Sequence, residues 1–412
     1  MSIINELKWR GLINNITNQA KLETFEKEKG AIYIGFDPSF DSLHLGNYNM
    51  LLILKRFHQH GHKVFALVGG ATGLIGDPSG KKIERQVLPK AKVDQNILKI
   101  KKQIQDIAGA TIINNADIYK GMSIFDFLRD IGKLINVNYL LEKDTIKTRL
   151  ESGISYAEFS YGLIQGYDFA WLYHHKKVLM QVGGSDQWGN ITTGIEMIRK
   201  LYGDDNQACG LTINLLTKSD GTKFGKSESG AIYLEPKYTT PYQMYQFLFN
   251  QPDSDVEKLL KYLTFFTENE IKNIMQEHNG APAKHFAQKQ LANAIIKDIH
   301  GEAELKKCIN ISESLFAGDL ASLDHATLLE ALKGTPTFHA DKDTYSVIDL
   351  LVACNIVSSK SQGRQLVESK AIYVNNELID KIDVPINKKS ALNHHFSYIR
   401  KGKKNYYLVI WK

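Results

Sequence analysis

Cysteine is scarce in this 412-residue chain, and the three present are poorly spaced for structural chemistry. Cys209, Cys308 and Cys354 are odd in number and far apart, which excludes a disulfide framework and a Cys-x-x-Cys zinc site. Reduced, partly buried thiols are expected. No stretch approaches eighteen consecutive apolar residues, so no transmembrane helix is expected. The opening Met1-Ser2-Ile3-Ile4-Asn5-Glu6-Leu7 lacks a basic segment followed by a long apolar run and does not read as a signal peptide, so a cytoplasmic location is expected. Internal repeats, low-complexity tracts and a Ser-His-Asp constellation are also missing. What the chain does have is 43% hydrophobic residues, ample for a core, and a length that suits two or three domains.

Charge is unevenly placed. Residues 342–412 hold 12 Lys and Arg against 6 Asp and Glu, which accounts for the whole formal net charge of +6. A basic terminal module on a balanced body suits a polyanion such as RNA; a merely solvated basic face is the plainer alternative.

The first two-thirds alternates strand and helix patterns. Strands are expected at Ala31 to Gly35, Lys63 to Val68, Val178 to Val182 and Leu211 to Leu216, with helices from Leu45 to His60 and from about Ser185 to Leu201. Near-continuous apolar strands alternating with helices predict an α/β fold, a parallel sheet covered on both faces. Ligands of such sheets bind beyond the carboxyl ends of the strands. A long, mainly helical insertion is expected at about 90–175. Residues 241–333 read as helical, Gly334-Thr335-Pro336-Thr337 breaks the pattern, and 342–412 reads as a compact α+β module.

Three groups of residues carry the chemistry. His44-Leu45-Gly46-Asn47 follows a strand and opens a helix, whose N-terminus is a natural anion site. Lys223-Phe224-Gly225-Lys226-Ser227 is a loop with two lysines three apart, suited to hold phosphates as charge develops on a leaving group. Tyr161, Gln165 and Asp168, at spacings of four and three, share one helical face among Phe159, Leu163, Ile164 and Phe169, and so are expected to line a cavity.

With the glycine-rich run Gly69 to Gly80 and the run Gln181 to Asn190, these motifs resemble bacterial tyrosyl-tRNA synthetases, class I aminoacyl-tRNA synthetases, over essentially the whole chain. Asn47 stands where the family's first signature ends in histidine, and Phe224-Gly225 replaces the middle of its second. The resemblance implies a Rossmann-like catalytic domain at 1–240, a helical domain at 241–333, a linker at 334–341 and a small RNA-binding domain at 342–412. Val357 to Val367 followed by Ala371 to Asn375 is similar to the RNA-binding fold shared with ribosomal protein S-four; Lys360 and Arg364 would grip phosphate.

The resemblance also implies residue roles. Tyr33 and Asp168 would meet the phenol of tyrosine. Asp77, Tyr161 and Gln165 would hold its ammonium, with Gln181 in support, and Gln187 would lie near the reacting carboxylate. Gly35, Asp37, Gly46, Gly184 and Asp186 would surround ATP, and Ser39, His44 and Asn47 its phosphates, with Lys223, Lys226 and Ser227. ATP would arrive with Mg²⁺; tRNA(Tyr) and a second copy of the chain, as a homodimer, would be the partners; no structural zinc or other protein-held metal is implied. Asp168 suits a phenol better than the indole of a tryptophan-specific relative. His44, Lys223 and Lys226 disfavour a non-catalytic RNA-binding or splicing protein on the same scaffold.

Overall fold

The computed structural model describes residues 1–79, 87–150, 153–222, 224–227, 230–317, 323, 325–392, 395–402 and 405–412; Lys223 lies outside the described residues, and for Lys226 and Ser227 only the backbone is described. The chain forms two units, one from residues 1–239 and 247–299, the other from 240–246 and 300–412.

The first unit is built on six strands: β1 (Ile13–Ile16), β2 (Ala31–Phe36), β3 (Val64–Val68), β4 (Thr111–Asn114), β5 (Val178–Gly184) and β6 (Cys209–Ile213). Their spatial order is β1-β6-β5-β2-β3-β4. Pairings among β2 to β6 are parallel, while β1 runs antiparallel along β6. The sheet is therefore mixed at one edge. All five residues of β3 and all five of β6 are buried, as expected of strands covered on both faces. Two strands escaped the sequence pattern, β1 and β4, each four residues long and neither fully buried. Thr111–Asn114 falls inside the expected helical insertion and adds a parallel strand there.

From β2 the chain steps outward to β3 and β4; from β5 it steps the other way to β6. The β2/β5 boundary is thus the topological switch point, and the crevice at its carboxyl end is the natural ligand site of an open α/β sheet.

Helix Leu45–Gln59 buries Leu51, Leu52, Ile53, Leu54 and Phe57. Helices Tyr156–Lys176 and Trp188–Tyr202 pack through glycine: a Cβ on Gly194 would stand 3.0 Å from the Phe169 ring, and one on Gly166 3.1 Å from Met197 Sδ. This close approach brings Asn190 up to the polar face of the first helix.

In the second unit a five-stranded sheet runs in the order Glu377–Leu378, Ile372–Val374, Phe396–Lys401, Asn405–Trp411, Thr337–Ala340. Helices Val347–Ala353 and Lys360–Glu368 cover it around Leu350, Leu351, Val367, Ile399 and Val409. The sharp turn at Asn375-Asn376 places both residues at positive φ, which asparagine tolerates well. The expected linker 334–341 needs correction. Thr337–Ala340 is a strand, paired in parallel with the last strand, and Ala340 is 1% exposed. Its Gly-Thr-Pro-Thr lead-in marks the break, but the apolar residues after it belong to the sheet.

Candidate active site

Four parallel strands end in polar groups that converge. Asp37 follows β2, Gly69 to Thr72 follow β3, Asn115 follows β4, and Gly183-Gly184 closes β5. The ends of β2, β3 and β5, together with the helix Tyr156–Lys176, line a cavity of about 190 Å³, and Asn115 stands behind it against Asp168. An apolar cavity of ~150 Å³ takes benzene, so this one holds a single aromatic ring with a few more atoms. Among the described residues its lining includes Tyr33, Gly35, Asp37, Asp77, Tyr161, Gln165, Asp168, Gln181, Gly184 and Gln187, and no Lys, Arg or His. The three carboxyl groups Asp37, Asp77 and Asp168 in this lining suit a positively charged group.

Asp168 is 1% exposed. Burial pushes its carboxyl up to about 7; hydrogen bonds from the Asn115 amide and the Tyr119 hydroxyl oppose this, and the Asp37 charge adds to it. Asn115 Nδ2 donates to Asp168 Oδ2 at 3.0 Å and to Thr72 Oγ1 at 3.1 Å. The Ala71 N–H donates to Asn115 Oδ1 at 2.7 Å, which fixes which end of the amide faces Asp168. The Tyr119 hydroxyl donates to Asp168 Oδ1 at 2.8 Å, and its oxygen also lies 2.8 Å from the Ile164 carbonyl oxygen. Tyr33 is 0% exposed, and its hydroxyl has no hydrogen-bond partner among the described residues; the same holds for Gln181 Oε1. These two side chains are register partners on β2 and β5. A buried polar atom without a partner costs about 1–3 kcal/mol, so both atoms point to a ligand that supplies the missing bonds.

The other end is a ring of amides around Asp77. Gln187 Nε2 donates to Asp77 Oδ2 at 2.7 Å and the Ser79 N–H to Oδ1 at 2.9 Å. Asn190 Nδ2 lies 3.0 Å from Gln165 Oε1 and 3.2 Å from Gln187 Oε1. Among the described residues no Lys, Arg or His pairs with Asp77. Tyr161, expected at the ammonium end, donates to Asp37 Oδ2 at 3.2 Å, while Thr72 donates to Asp37 Oδ1 at 3.1 Å. Burial raises the Tyr161 phenol well above its ordinary pKa, with the Asp37 charge next in effect, so it remains a donor.

Toward the rim, Gly35 is the exposed residue of β2, and a Cβ there would meet nothing within 4 Å. His44 caps the helix Leu45–Gln59: its Nδ1 accepts from the Asn47 N–H at 3.3 Å, and Asn47 Oδ1 accepts from the His44 N–H at 3.1 Å. Because Nδ1 accepts, the neutral ring carries its proton on Nε2. Asn47 thus spends its oxygen on the cap and retains its Nδ2 donors. Gly46 is required locally, since a Cβ would stand 2.9 Å from the His44 ring.

The two signatures abut. A Cβ on Gly225, at φ +83°, would lie 3.1 Å from Gly46 N. Leu45 N donates to Ile232 O, and Ile232 N to Gly225 O, both at 2.9 Å. Ser39, exposed after β2, and Asp186, in the turn Ser185–Gln187, do not line the cavity. Residues that sequence reasoning missed are Thr72, Asn115, Tyr119 and Asn190. Thr72 and Asn190 sit inside the quoted glycine-rich and Gln181 runs. Asn115 would have followed from the carboxyl-end rule had the short β4 been recognised.

A switch-point cavity sized for one ring and acidic along its wall, in a unit where a helix-opening histidine signature packs against Gly225, defines a nucleotide-fold enzyme that takes a small aromatic amine. The sequence matches the family described as tRNA synthetases class I (W and Y) over residues 26–317, and the tyrosine--tRNA ligase SYY-like C-terminal domain over 327–409. It is 54% identical over 410 residues to the tyrosine--tRNA ligase of Ureaplasma urealyticum serovar 10, covering 100% of this chain and 99% of that one. It is 46% identical to that of Staphylococcus epidermidis, covering 99% and 98%. A C-terminally truncated mitochondrial tyrosyl-tRNA synthetase from Aspergillus nidulans superposes with a TM-score of 0.69 at 30% identity, covering 76% of this chain and 94% of that one. The chain belongs to the tyrosine–tRNA ligase family of class I tRNA synthetases.

Proposed function

We propose that the family's reaction, ATP-dependent ligation of tyrosine to tRNA(Tyr), runs in this cavity with the following division of labour. The phenol of tyrosine lies between Tyr33 and Asp168, and its ammonium group between Asp77 and Gln165, with Tyr161 and Gln181 completing the wall. Gln187 faces the carboxylate. That carboxylate attacks the α-phosphate of ATP, pyrophosphate leaves, and the terminal ribose hydroxyl of the tRNA then attacks the tyrosyl-adenylate. ATP lies over Gly35, Asp37, Gly46, Gly184 and Asp186, with its phosphates toward Ser39, His44 and Asn47 and toward Lys223, Lys226 and Ser227. These groups act by placing positive or hydrogen-bonding charge where negative charge develops, so no enzyme nucleophile is needed. Mg²⁺ enters with the triphosphate; among the described residues no group of three His, Cys, Asp or Glu is placed to hold a metal.

The observation that carries the reading is that a fully buried Tyr33 hydroxyl, without a partner among the described residues, and the buried Asp168 carboxyl line the same one-ring cavity. Tyrosine-dependent exchange of pyrophosphate into ATP tests it. Exchange with tyrosine, and little with tryptophan or phenylalanine, is the expected result; no exchange with any amino acid would favour the non-catalytic alternative.

Four further assignments belong to the same reading. The basic module 342–412, with Lys360 and Arg364, captures tRNA. Catalytic and helical segments divide at 240, and the helical segment ends at 333, ahead of the strand Thr337–Ala340 that joins the C-terminal sheet. The chain acts as a homodimer through the 90–175 segment, supported by the exposed Ile124, Phe125, Leu128 and Val137; sedimentation equilibrium checks this. The setting is the cytoplasm; among the described residues no helix is long and apolar enough to cross a membrane.

A further inference from the structure

The ring of amides around Asp77 turns on Asn190. This side chain is 6% exposed, sits in the first turn of the helix Trp188–Tyr202 and does not line the cavity, so it touches no ligand held there. Four oxygens surround its Nδ2: Gln165 Oε1 at 3.0 Å, Gln187 Oε1 at 3.2 Å, Ser79 Oγ at 3.3 Å and Asp77 Oδ1 at 3.5 Å. An amide nitrogen has two protons to give, and the two shortest contacts are to the glutamine oxygens.

The polarity of the ring is set from Asp77. Gln187 Nε2 donates to Asp77 Oδ2 at 2.7 Å; the opposite amide orientation would set oxygen against carboxylate oxygen. Gln187 Oε1 therefore faces Asn190 and also accepts from Gln165 Nε2 at 3.2 Å. Asn190 must then present its nitrogen, and that nitrogen in turn holds Gln165 Oε1. A flipped Gln165 would oppose nitrogen to nitrogen at Asn190 and oxygen to oxygen at Gln187. Gln165 lines the cavity, and its carbonyl oxygen has two lone pairs. With one given to Asn190, the other is left for an N–H donor in the cavity.

We propose that Asn190 is a positioning residue for the amino-acid substrate: through its side-chain nitrogen it locks Gln165 as an acceptor for the α-ammonium group of tyrosine. The inference rests on the reading that this ammonium lies between Asp77 and Gln165. Gln187 has an independent lock in Asp77, so Gln165 is the group that depends on Asn190. Among the described residues the hydrogen bonds of Asn190 reach none of Tyr33, Asn115 and Asp168. Its influence is therefore confined to the ammonium end of the cavity.

Tyrosine-dependent pyrophosphate exchange by the full-length protein, with Asn190→Ala and Asn190→Leu, tests this. An ammonium contact is made alike in the ground state and the transition state, so its loss falls on KM. In both variants the KM for tyrosine should rise about 10- to 100-fold, as a buried acceptor loses its donor, while kcat changes less than about threefold. Desaminotyrosine keeps the phenol and the carboxylate and lacks the ammonium. As a competitor it should inhibit both variants and the wild type with constants that agree within about threefold. The tyrosine/phenylalanine ratio in kcat/KM should stay unchanged, because both amino acids carry the same ammonium.

Equal losses for tyrosine and desaminotyrosine overturn the inference, since Asn190 would then only pack the wall. A loss confined to one of the two variants does so too, because both remove the donors and only leucine keeps the branched shape. An unchanged tyrosine KM in both is equally fatal. Should Asn190→Ala fail to fold, Asn190→Leu with the desaminotyrosine control still decides it. Gln165→Leu separates the two levels. If that variant takes tyrosine as the wild type does, the ammonium lies elsewhere, and the reading of the site falls with the inference. If it weakens tyrosine while the Asn190 variants do not, only the present inference is lost.

Discussion

The cavity of the first unit and the basic face of the second both carry charge, but they hold it in opposite ways. In the cavity, Asp168 and Asp77 are 1% and 6% exposed, and neutral donors fix each: Asn115 for the first, Gln187 and the Ser79 backbone for the second. On the helix Lys360–Glu368, Lys360 and Arg364 stand in solvent, and Lys360 pairs with Asp349 at 2.7 Å across water-accessible surface. A buried polar atom has few alternatives, so loss of its partner is felt in full. An exposed charge is screened and easily replaced by its neighbours. The cavity therefore suits discrimination between near-identical side chains, and the basic face suits additive attraction for a polyanion.

The sharpest way to break this contrast is Asp168→Asn. If the cavity discriminates by stranding polar atoms, phenylalanine is penalised because it leaves Tyr33 and Asp168 without a hydroxyl between them. The tyrosine/phenylalanine ratio in kcat/KM can reach roughly 10⁴–10⁵, a magnitude for which tyrosyl-tRNA synthetases are themselves the reference case. The amide should collapse most of that ratio. Competitive pyrophosphate exchange measures it, and an undiminished ratio would remove Asp168 from the pocket.

Lys226 lies between the extremes. It is proposed to meet charge that exists mainly in the transition state. Lys226→Ala should lower the rate of adenylate formation by about 10²–10³ while leaving tyrosine affinity unchanged. Single-turnover kinetics with separately titrated tyrosine checks this. Lost tyrosine binding at an unchanged activation rate contradicts the role.

These examples show which parts of the molecule were legible in the sequence. Strands β2, β3 and β5 were, because long apolar runs leave few alternatives. Tyr161, Gln165 and Asp168 were placed correctly on one face, because helical spacing is local information. The mixed sheet edge was not, since a four-residue strand such as β1 has too few positions to show a period. Asn115 and Tyr119 were invisible for a different reason. They reach Asp168 across 53 and 49 residues, through a strand, β4, that itself went unrecognised. The Gly334 to Thr337 break was read correctly as a break, but local composition could not reveal that Thr337–Ala340 finds its partner at the far end of the chain.

A smaller effect on activation, and a larger one on charging, is expected from removing the second unit's sheet. Its buried core runs from Ala340 to Trp411 and includes no cavity residue. Truncation before Gly334 should leave tyrosine-dependent pyrophosphate exchange largely intact while tRNA charging falls sharply. A C-terminally truncated relative of known structure shows that such a shortened chain folds in that case. Charging at the full-length rate would mean that the basic face serves something other than tRNA.

The smallest effects are expected on the basic face itself, and there the structure ranks two residues that the sequence treated as equals. Lys360 and Arg364 both lie on the exposed side of their helix, opposite Gly363 and Val367. Lys360 is partly neutralised by Asp349, so a phosphate must displace that carboxylate before gaining the full charge. Arg364 has no ion pair of this kind among the described residues, and its planar fork suits bidentate phosphate contact. Arg364→Ala should therefore weaken tRNA binding more than Lys360→Ala does, with the slope of log affinity against log salt reduced by about one phosphate contact. Lys360→Ala should change affinity little, and Asp349→Asn should strengthen binding by releasing Lys360. Filter binding across a salt series reads all three. If Lys360→Ala costs as much as Arg364→Ala, and Asp349→Asn changes nothing, the ion pair does not persist in solution and the two cations act alike.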